Sequence, residues 1–146
     1  MDAMRLLIVL VLAAVAPLLA GCTTIPKRPE LLSAEIIPNA LKPGDSAVVR
    51  VAFQDRFSII DHVHGQIPED PSIVFRLRDN GIDPDEMAND DVWTLLVDVP
   101  FNAPAGEFSL ELTAYNSDDR PILVQNSYRE VEPLKTSVTL TIEPND

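Results

Sequence analysis

The sequence is poor in cysteine, in basic residues and in aromatic side chains, and each shortage excludes a class of protein. One Cys in 146 residues rules out an intramolecular disulfide. The 11 Lys and Arg residues stand against 23 Asp and Glu, so the net charge is −12 and nucleic acid is excluded as a partner. Aromatic residues make up only 5% of the chain, which leaves few rings that could stack on a sugar.

The chain also lacks the motifs of common enzyme classes. It contains no Gly-x-Ser-x-Gly sequence, no Gly-rich phosphate loop and no closed set of zinc ligands. Carboxylates are abundant, but whether two of them form a catalytic pair depends on their separation in space. We therefore predict a protein that is not an enzyme and that needs no cofactor, apart from the calcium considered below.

Long hydrophobic segments are absent except at the amino terminus. Leu6 to Leu19 form an apolar run that follows Arg5 and is interrupted by Pro17. This run is shorter than the roughly 20 residues that a membrane-spanning helix needs. A short apolar run behind a basic residue is typical of a secretory signal, which is removed from the mature protein.

The apolar run ends in Leu19-Ala20-Gly21-Cys22, which resembles the lipobox of bacterial lipoproteins. The resemblance implies that residues 1–21 are a lipoprotein signal peptide, that the thiol of Cys22 carries diacylglycerol, and that the new amino terminus is acylated. Several acyl chains together anchor a protein stably, whereas one binds reversibly. The alternative is an ordinary signal peptide that ends by chance at a Cys.

Residues 22–30 are predicted to be a lipidated tether, because Pro26 and Pro29 disfavour helix. An extended segment of this length spans about 25–30 Å, so the domain would be held beside its bilayer. Thr23 stands where enterobacterial lipoproteins that stay in the inner membrane have Asp. We therefore expect a cell-envelope protein, facing the periplasm or the surface, with the outer membrane favoured over the inner membrane.

From residue 31 onward, apolar residues recur with a period of two. This alternation is typical of antiparallel strands that have one buried and one wetter face. The apolar sets are Ala47-Val49-Val51-Phe53, Ile73-Phe75-Leu77, Trp93-Leu95-Val97-Val99, Phe108-Leu110-Leu112-Ala114 and Val138-Leu140-Ile142. Further strands are predicted near Ser33–Pro38, Ile59–Ile67 and Ile122–Gln125.

Turn sequences rich in Pro, Gly, Asn and Asp separate the predicted strands. We therefore predict an all-β fold: a single antiparallel β-sandwich over residues 31–146, with about seven or eight strands. Trp93 and Phe108 are the expected large core anchors. The segment Asn126–Leu134 lacks alternation and is predicted to be a loop.

The predicted domain resembles immunoglobulin-like and fibronectin type III-like modules of bacterial surface proteins. A narrower resemblance is carried by three segments, which are Ile60-Asp61-His62-Val63, the acidic stretch from Asp79-Asn80-Gly81 to Asp90-Asp91, and Pro104-Ala105-Gly106-Glu107-Phe108. The similar modules have Gly where this chain has Asp91. The resemblance implies an immunoglobulin-like sandwich, an architecture that binds through loops at one end or through strand edges.

The acidic stretch is the first candidate site. Calcium takes six to eight oxygen ligands, and a long acidic loop can wrap around such an ion. The candidate ligands are Asp79, Asp83, Asp85, Asp90 and Asp91. Their spacing is not that of an EF-hand. Two interpretations stay open: a calcium site, and a solvated connection in which Asp and Gly form turns.

His62 and His64 form the second candidate, because residues two apart on a strand point to the same face. Two metal ligands could be arranged in this way, although no third ligand is identifiable. The alternative is a pair of exposed strand histidines.

Together these features predict a lipid-anchored cell-envelope β-sandwich that acts as a non-catalytic binding, adaptor or structural module. Its expected partners are the membrane and another envelope protein. The alternative is a calcium-dependent or carbohydrate-binding surface domain that uses the acidic loop 79–91. Because Trp93 is expected in the core, Tyr115 and Tyr128 are the candidates for stacking on a sugar.

Overall fold

The computed structural model describes residues 28–144, and all the regular structure in this range is β-strand. The all-β prediction is therefore confirmed for this range. Its described residues contain no helix that is both long and apolar enough to cross a membrane. The expected signal peptide 1–21, the lipidation site Cys22 and the tether as far as Lys27 lie outside the described residues.

Ten strands are present in the described range, two more than the largest number expected. They are β1 (Glu30–Ile37), β2 (Ala40–Leu41), β3 (Ser46–Gln54), β4 (His62–Ile67), β5 (Asp70–Arg76), β6 (Val92–Asp98), β7 (Gly106–Tyr115), β8 (Leu123–Gln125), β9 (Val131–Pro133) and β10 (Lys135–Ile142). The sequence does not predict β2 and β9, because their two and three residues show no apolar alternation, whereas β8 overlaps the apolar run 122–124. The prediction that 126–134 is entirely loop is therefore wrong at β9.

The long strands form two sheets. One is three-stranded, in the order β1-β3-β6, and the other is five-stranded, in the order β2-β10-β7-β4-β5. All of their pairs are antiparallel except β2 with β10, so the prediction of a purely antiparallel fold is wrong at that pair. The parallel pair forms because β2 reaches the edge of β10 directly after the chain leaves β1. β8 and β9 form a separate hairpin.

The core lies between the inner faces of the two sheets. The inward residues of β3, which are Ala47, Val49, Val51 and Phe53, are all buried, as their alternation predicts. The largest fully buried side chains are aliphatic, namely Leu77, Leu112, Val49, Val51 and Val63. Burying each such side chain stabilises the fold by about 1.5–3 kcal/mol.

The predicted aromatic anchors lie at the margin of this core. Trp93 and Phe108 are only partly buried and pack against the buried cluster from outside. The prediction of core placement therefore holds only in part, because both side chains lie against the buried cluster and not within it. Phe53, by contrast, is buried.

The amino-terminal part of the described chain packs against one end of the two sheets. Pro29 is buried, and the guanidinium of Arg28 donates a hydrogen bond to the Leu123 carbonyl. β1 then begins at Glu30, which pairs with Gln54. We call this the N-terminal end of the domain. At the opposite end the backbone N–H of Gly44 donates to the Val99 carbonyl, and β2 pairs with the end of β10.

Candidate functional site

The acidic loop connects β5 to β6 and is held by its own carboxylates. Asp85 is buried, and its Oδ2 accepts hydrogen bonds of 2.5 Å from the backbone N–H groups of both Asn80 and Gly81. The Asn80 side-chain oxygen accepts a 3.1 Å hydrogen bond from the N–H of Ile82. These contacts satisfy backbone donors that a loop would otherwise leave unpaired.

A second carboxylate closes the two ends of the loop. Asp79 Oδ1 accepts from the backbone N–H of Asp90 at 3.2 Å, and its Oδ2 accepts from that of Asp91 at 3.1 Å. Burial raises the pKa of Asp79, and the nearby Asp90 carboxylate adds to this, while the backbone N–H groups of residues 89–91 act in the opposite direction. Asp90 itself accepts from the N–H of Val92 at 3.1 Å.

The structure brings together three of the five predicted calcium ligands. Carboxylate oxygens of Asp79, Asp85 and Asp90 all lie within 4.8 Å of one another. Asp83 is exposed and lines a separate depression beside Arg76. Asp91 is outside the group of three. Each of the three grouped carboxylates accepts backbone hydrogen bonds within the loop, so these side chains stabilise its turns.

Asp91 occupies a backbone conformation that favours glycine. Its φ is 64°, in the left-handed region, and Asn89 nearby has φ 60°. Asp91 therefore places a carboxylate in a turn conformation that glycine adopts without strain. Burial raises the pKa of Asp91, and the carboxylates of Asp55 and Asp79 raise it further, against a hydrogen bond from the Asp55 backbone.

A polar groove of about 620 Å³ lies beside the acidic loop. Asp79 and Asp91 line it from the loop, Arg76 and Arg78 line it from the end of β5, and Trp93 forms part of its wall. The Trp93 Nε1 atom is buried without a hydrogen-bond partner. The groove therefore combines charges of both signs with one partly buried ring.

The histidines form a compact cluster with Tyr115. His62 and His64 have ring centroids 4.6 Å apart, and Tyr115 stacks on His62 at 5.2 Å. His62 is buried, so the interpretation as two exposed histidines is wrong for this residue. Because Tyr115 is already stacked on an imidazole, its face is engaged, whereas Tyr128 is 85% exposed on the β8–β9 turn.

Acidic residues flank the buried imidazole on both sides. His62 Nδ1 lies 2.9 Å from Asp61 Oδ2, and its Nε2 lies 3.3 Å from Asp119 Oδ1, at an angle that does not make a hydrogen bond. Burial lowers the pKa of His64, and His62 and Arg76 lower it further. Among the described residues, the one group of potential metal ligands contains neither histidine.

An apolar cleft opens between the two sheets at the end opposite Arg28. Its volume is about 700 Å³. Residues of both sheets line it: Ile73 and Phe75 of β5, and Leu96 and Val97 of β6. Val99 and the loop residues that follow it form another part of the lining. The remaining lining residues lie on β4, β7 and β10, namely Ile67, Phe108, Leu140 and Ile142. No strand covers the edges of β5 and β6 that flank it, since β5 pairs only with β4 along its length and β6 only with β3 in the described sheets.

The cleft wall is mostly hydrocarbon, with Asp98 and Asn102 as its polar side chains. Asp98 is the one ionisable side chain among the described residues that line it, and it accepts a 2.6 Å hydrogen bond from Ser46 Oγ. Pro100 and Pro104 line the loop side. Sequence reasoning missed this cleft because every lining residue belongs to an ordinary strand pattern or turn. The alternation shows that Phe75 and Val97 point inward but not that their strands are separated.

No family model matches the chain, and no curated protein matches it. Among solved structures, the chain is similar to the endo-beta-1,4-mannanase from Thermotoga petrophila, with a TM-score of 0.45 and 11% identity over 80% of this chain. The match spans only 21% of the mannanase. It is also similar to a Niemann-Pick type C2 protein from the Japanese carpenter ant, with a TM-score of 0.45, 12% identity and coverage of 80% of this chain and 94% of that one. Likeness at this level assigns no function.

Proposed function

We propose that this protein is a lipid-anchored binding module of the cell envelope, that it is not an enzyme, and that the apolar cleft is its ligand site. The cleft carries the proposal. Its volume of about 700 Å³ falls within the roughly 300–1,000 Å³ that is usual for small-molecule pockets, and it is concave and mostly apolar, as such pockets are. A wall of this composition binds apolar surface but offers no nucleophile with its base.

The arrangement of the strands supports an immunoglobulin-like assignment. The order β10-β7-β4-β5 corresponds to the G-F-C sheet of an immunoglobulin domain extended by one further strand, and β1-β3-β6 corresponds to the A, B and E strands. The constant-type domain has a fourth strand, D, beside E. This chain has the acidic loop in that part of the sequence, which leaves the edge of β6 open.

The anchor is proposed from the lipobox. Cys22 lies six residues before Arg28, and Arg28 packs at the end of the domain opposite the cleft. The ten-residue β7 spans about 33 Å, so the end of the domain that carries Arg28 is well separated from the cleft. We place the protein in the outer membrane in preference to the inner membrane, with an envelope protein as a further partner.

Two measurements test the anchor. Metabolically supplied fatty acid should label the wild-type chain and should not label the Cys22→Ser variant. The same variant should leave the membrane fraction on washing with salt and carbonate, because without acyl chains it lacks the proposed lipid anchor. Labelling of Cys22→Ser, or its retention in the membrane, would contradict the proposal.

Site-specific photocrosslinking in the native host tests the ligand site. A benzophenone amino acid in place of Ile73 would lie at the cleft, and one in place of Val74 would lie on the outer face of the same strand. The two side chains have similar exposures of 44% and 48%. Adducts of any kind that form at position 73 and not at position 74 support binding in the cleft. The absence of adducts at position 73 would refute it.

A calcium-dependent or carbohydrate-binding role of the acidic loop is the second candidate. The grouping of carboxylate oxygens from Asp79, Asp85 and Asp90 favours the ion, and the adjoining groove with Trp93 favours a sugar. Millimolar calcium should then raise the melting midpoint above that in chelator. Asp90→Asn should reduce the rise, and Asp118→Asn, in the exposed turn after β7, should not. An unchanged midpoint refutes the ion.

A further inference from the structure

We infer that the cleft holds the hydrocarbon chain of an uncharged lipid. This inference rests on the proposed function and names the ligand of the same site. The lining side chains come from both sheets, so an occupant would contact Ile73 and Leu96 at the edges and Phe108 and Ile142 on the inner faces. Such an occupant covers apolar surface that water wets poorly, and this provides the driving force for binding.

The charges of the cleft select against an acidic headgroup or a free fatty acid. Of the described lining residues none is Lys, Arg or His, and the single carboxylate is that of Asp98. An anionic ligand would meet no positive partner there, while the net charge of −12 would repel it. A neutral lipid avoids both penalties.

A backbone bridge closes one end of the cleft. β5 ends at Arg76, and two residues later the backbone of Arg78 pairs with that of Thr94, which joins the two sheets on that side. The cleft lies along β6 beyond that pair, from Leu96 toward Pro100. The cleft is therefore closed at that pair and runs along the edges of the two sheets toward Pro100, a shape that accommodates an elongated ligand.

A strand donated by a partner protein is a less favourable occupant. Strand addition depends on backbone donors along an exposed edge. Pro71 lies within β5, and Pro100 and Pro104 line the cleft, so these positions offer no N–H group. Much of the lining also belongs to the inner faces of β7 and β10, which a strand paired at the edge would reach only with its side chains.

The test uses the full lipidated chain in vesicles of phosphatidylethanolamine and phosphatidylglycerol. The probe is a monoacylglycerol with a diazirine in its acyl chain. Photolabelling should map to β5 and β6, and excess unlabelled monoacylglycerol should abolish it. The free fatty acid of the same chain length should compete at least about tenfold less well, because its carboxylate has no cation to pair with. Equal competition by the fatty acid would overturn the inference.

Matched variants locate the bound chain. Ile73→Asp places a carboxylate at the cleft and should lower labelling at least about tenfold. Val74→Asp adds the same charge on the outer face of the same strand and should leave labelling within about twofold of wild type, as expected for a surface position. Equal labelling of the two variants would overturn the inference, and the competition measurement on the wild-type chain does not depend on the folding of either.

The outcomes separate this inference from the proposed function. If photocrosslinking in cells at position 73 captures a peptide while the monoacylglycerol probe does not label the cleft, the binding module stands and the lipid ligand is refuted. If position 73 captures nothing and the probe does not label, both are refuted. Anchoring at Cys22 is decided independently by fatty-acid labelling.

Discussion

Arg78 and Thr94 exchange two backbone hydrogen bonds, each 2.8 Å long, and thereby connect the end of β5 to β6. This pair belongs to an isolated bridge outside the regular ladders of either sheet. On one side of it lies the polar groove with Trp93 and the acidic loop, and on the other lies the apolar cleft. The bridge therefore separates the two candidate binding regions of the domain.

The first prediction concerns this bridge. Thr94→Pro removes the N–H that donates to the Arg78 carbonyl at a buried position, and it should lower the free energy of unfolding by about 3 kcal/mol. Thr94→Val retains the backbone bond and loses only the long 3.4 Å side-chain contact to the Arg78 carbonyl, so it should cost about 1 kcal/mol. Denaturant unfolding followed by the fluorescence of Trp93 measures both. Equal losses would show that the bridge contributes little.

The second prediction concerns the turn before β3. Gly44 has φ +95°, and a Cβ there would lie 2.5 Å from Cε1 of Phe101. Phe101 is 85% exposed and can rotate away, so the backbone conformation should dominate the effect of a side chain. Gly44→Ala should therefore destabilise the fold by about 1–2 kcal/mol.

A double variant distinguishes the two contributions. If backbone strain dominates, Phe101→Ala should restore less than about 0.5 kcal/mol of the loss caused by Gly44→Ala. Full restoration would instead show that contact with the ring is the main cost. Thermal unfolding of the single and double variants provides the comparison.

The third prediction concerns Asp91. Asn tolerates its left-handed conformation better and keeps an oxygen that accepts hydrogen bonds, so Asp91→Asn should stabilise the fold by about 0.5–1 kcal/mol at pH 7. Because burial raises the pKa of Asp91, the folded wild-type chain binds its proton more tightly than the unfolded chain. The electrostatic contribution of Asp91 to the stability of the wild-type fold therefore falls as the pH rises through the raised pKa of Asp91.

The pH dependence of that gain tests the electrostatic part. The electrostatic part of the advantage of Asp91→Asn should be greatest near neutral pH, should shrink as the pH falls through the raised pKa of Asp91, and should be lost well below the ordinary Asp pKa of about 4, where the carboxyl is protonated in both states. Unfolding measured from pH 3 to pH 7 gives the two curves. If the difference in unfolding free energy between the two proteins does not change with pH, only the backbone conformation contributes to the gain.

The fourth prediction concerns His64. Burial, followed by the effects of His62 and Arg76, lowers its pKa, so the unfolded chain binds this proton more readily than the folded chain. Stability contributed by neutral His64 should then be lost as the pH falls below about 6.5. His64→Gln cannot be protonated and should lose less stability between pH 7 and pH 5. Parallel stability curves for the two proteins would contradict this.

Local patterns were sufficient for much of the fold. The alternation in β3 correctly predicted its four buried residues, because the direction of a side chain on a strand follows directly from its position. The acidic loop was likewise identifiable, since Asp79 and Asp85 satisfy backbone donors nearby in the chain. The calcium interpretation of that loop stays a prediction.

Other features depend on contacts between distant residues. β9 was missed because its three residues form a strand only through pairing with β8. Trp93 was expected as a core anchor, but it is only partly buried against the core cluster, and that depends on which distant residues pack around it. Burial of His62 likewise depends on Tyr115, which reaches it from β7.

The sequence by itself determined that this chain forms strands with one apolar face and that carboxylates shape the turn between β5 and β6. Period-two alternation and hydrogen bonds within a loop are local properties, so they can be read without knowing the fold. Only the tertiary structure decided that these strands leave a cleft. A cleft is space between surfaces, and its size depends on the separation of Ile73 from Leu96 across two sheets, to which distant parts of the chain contribute.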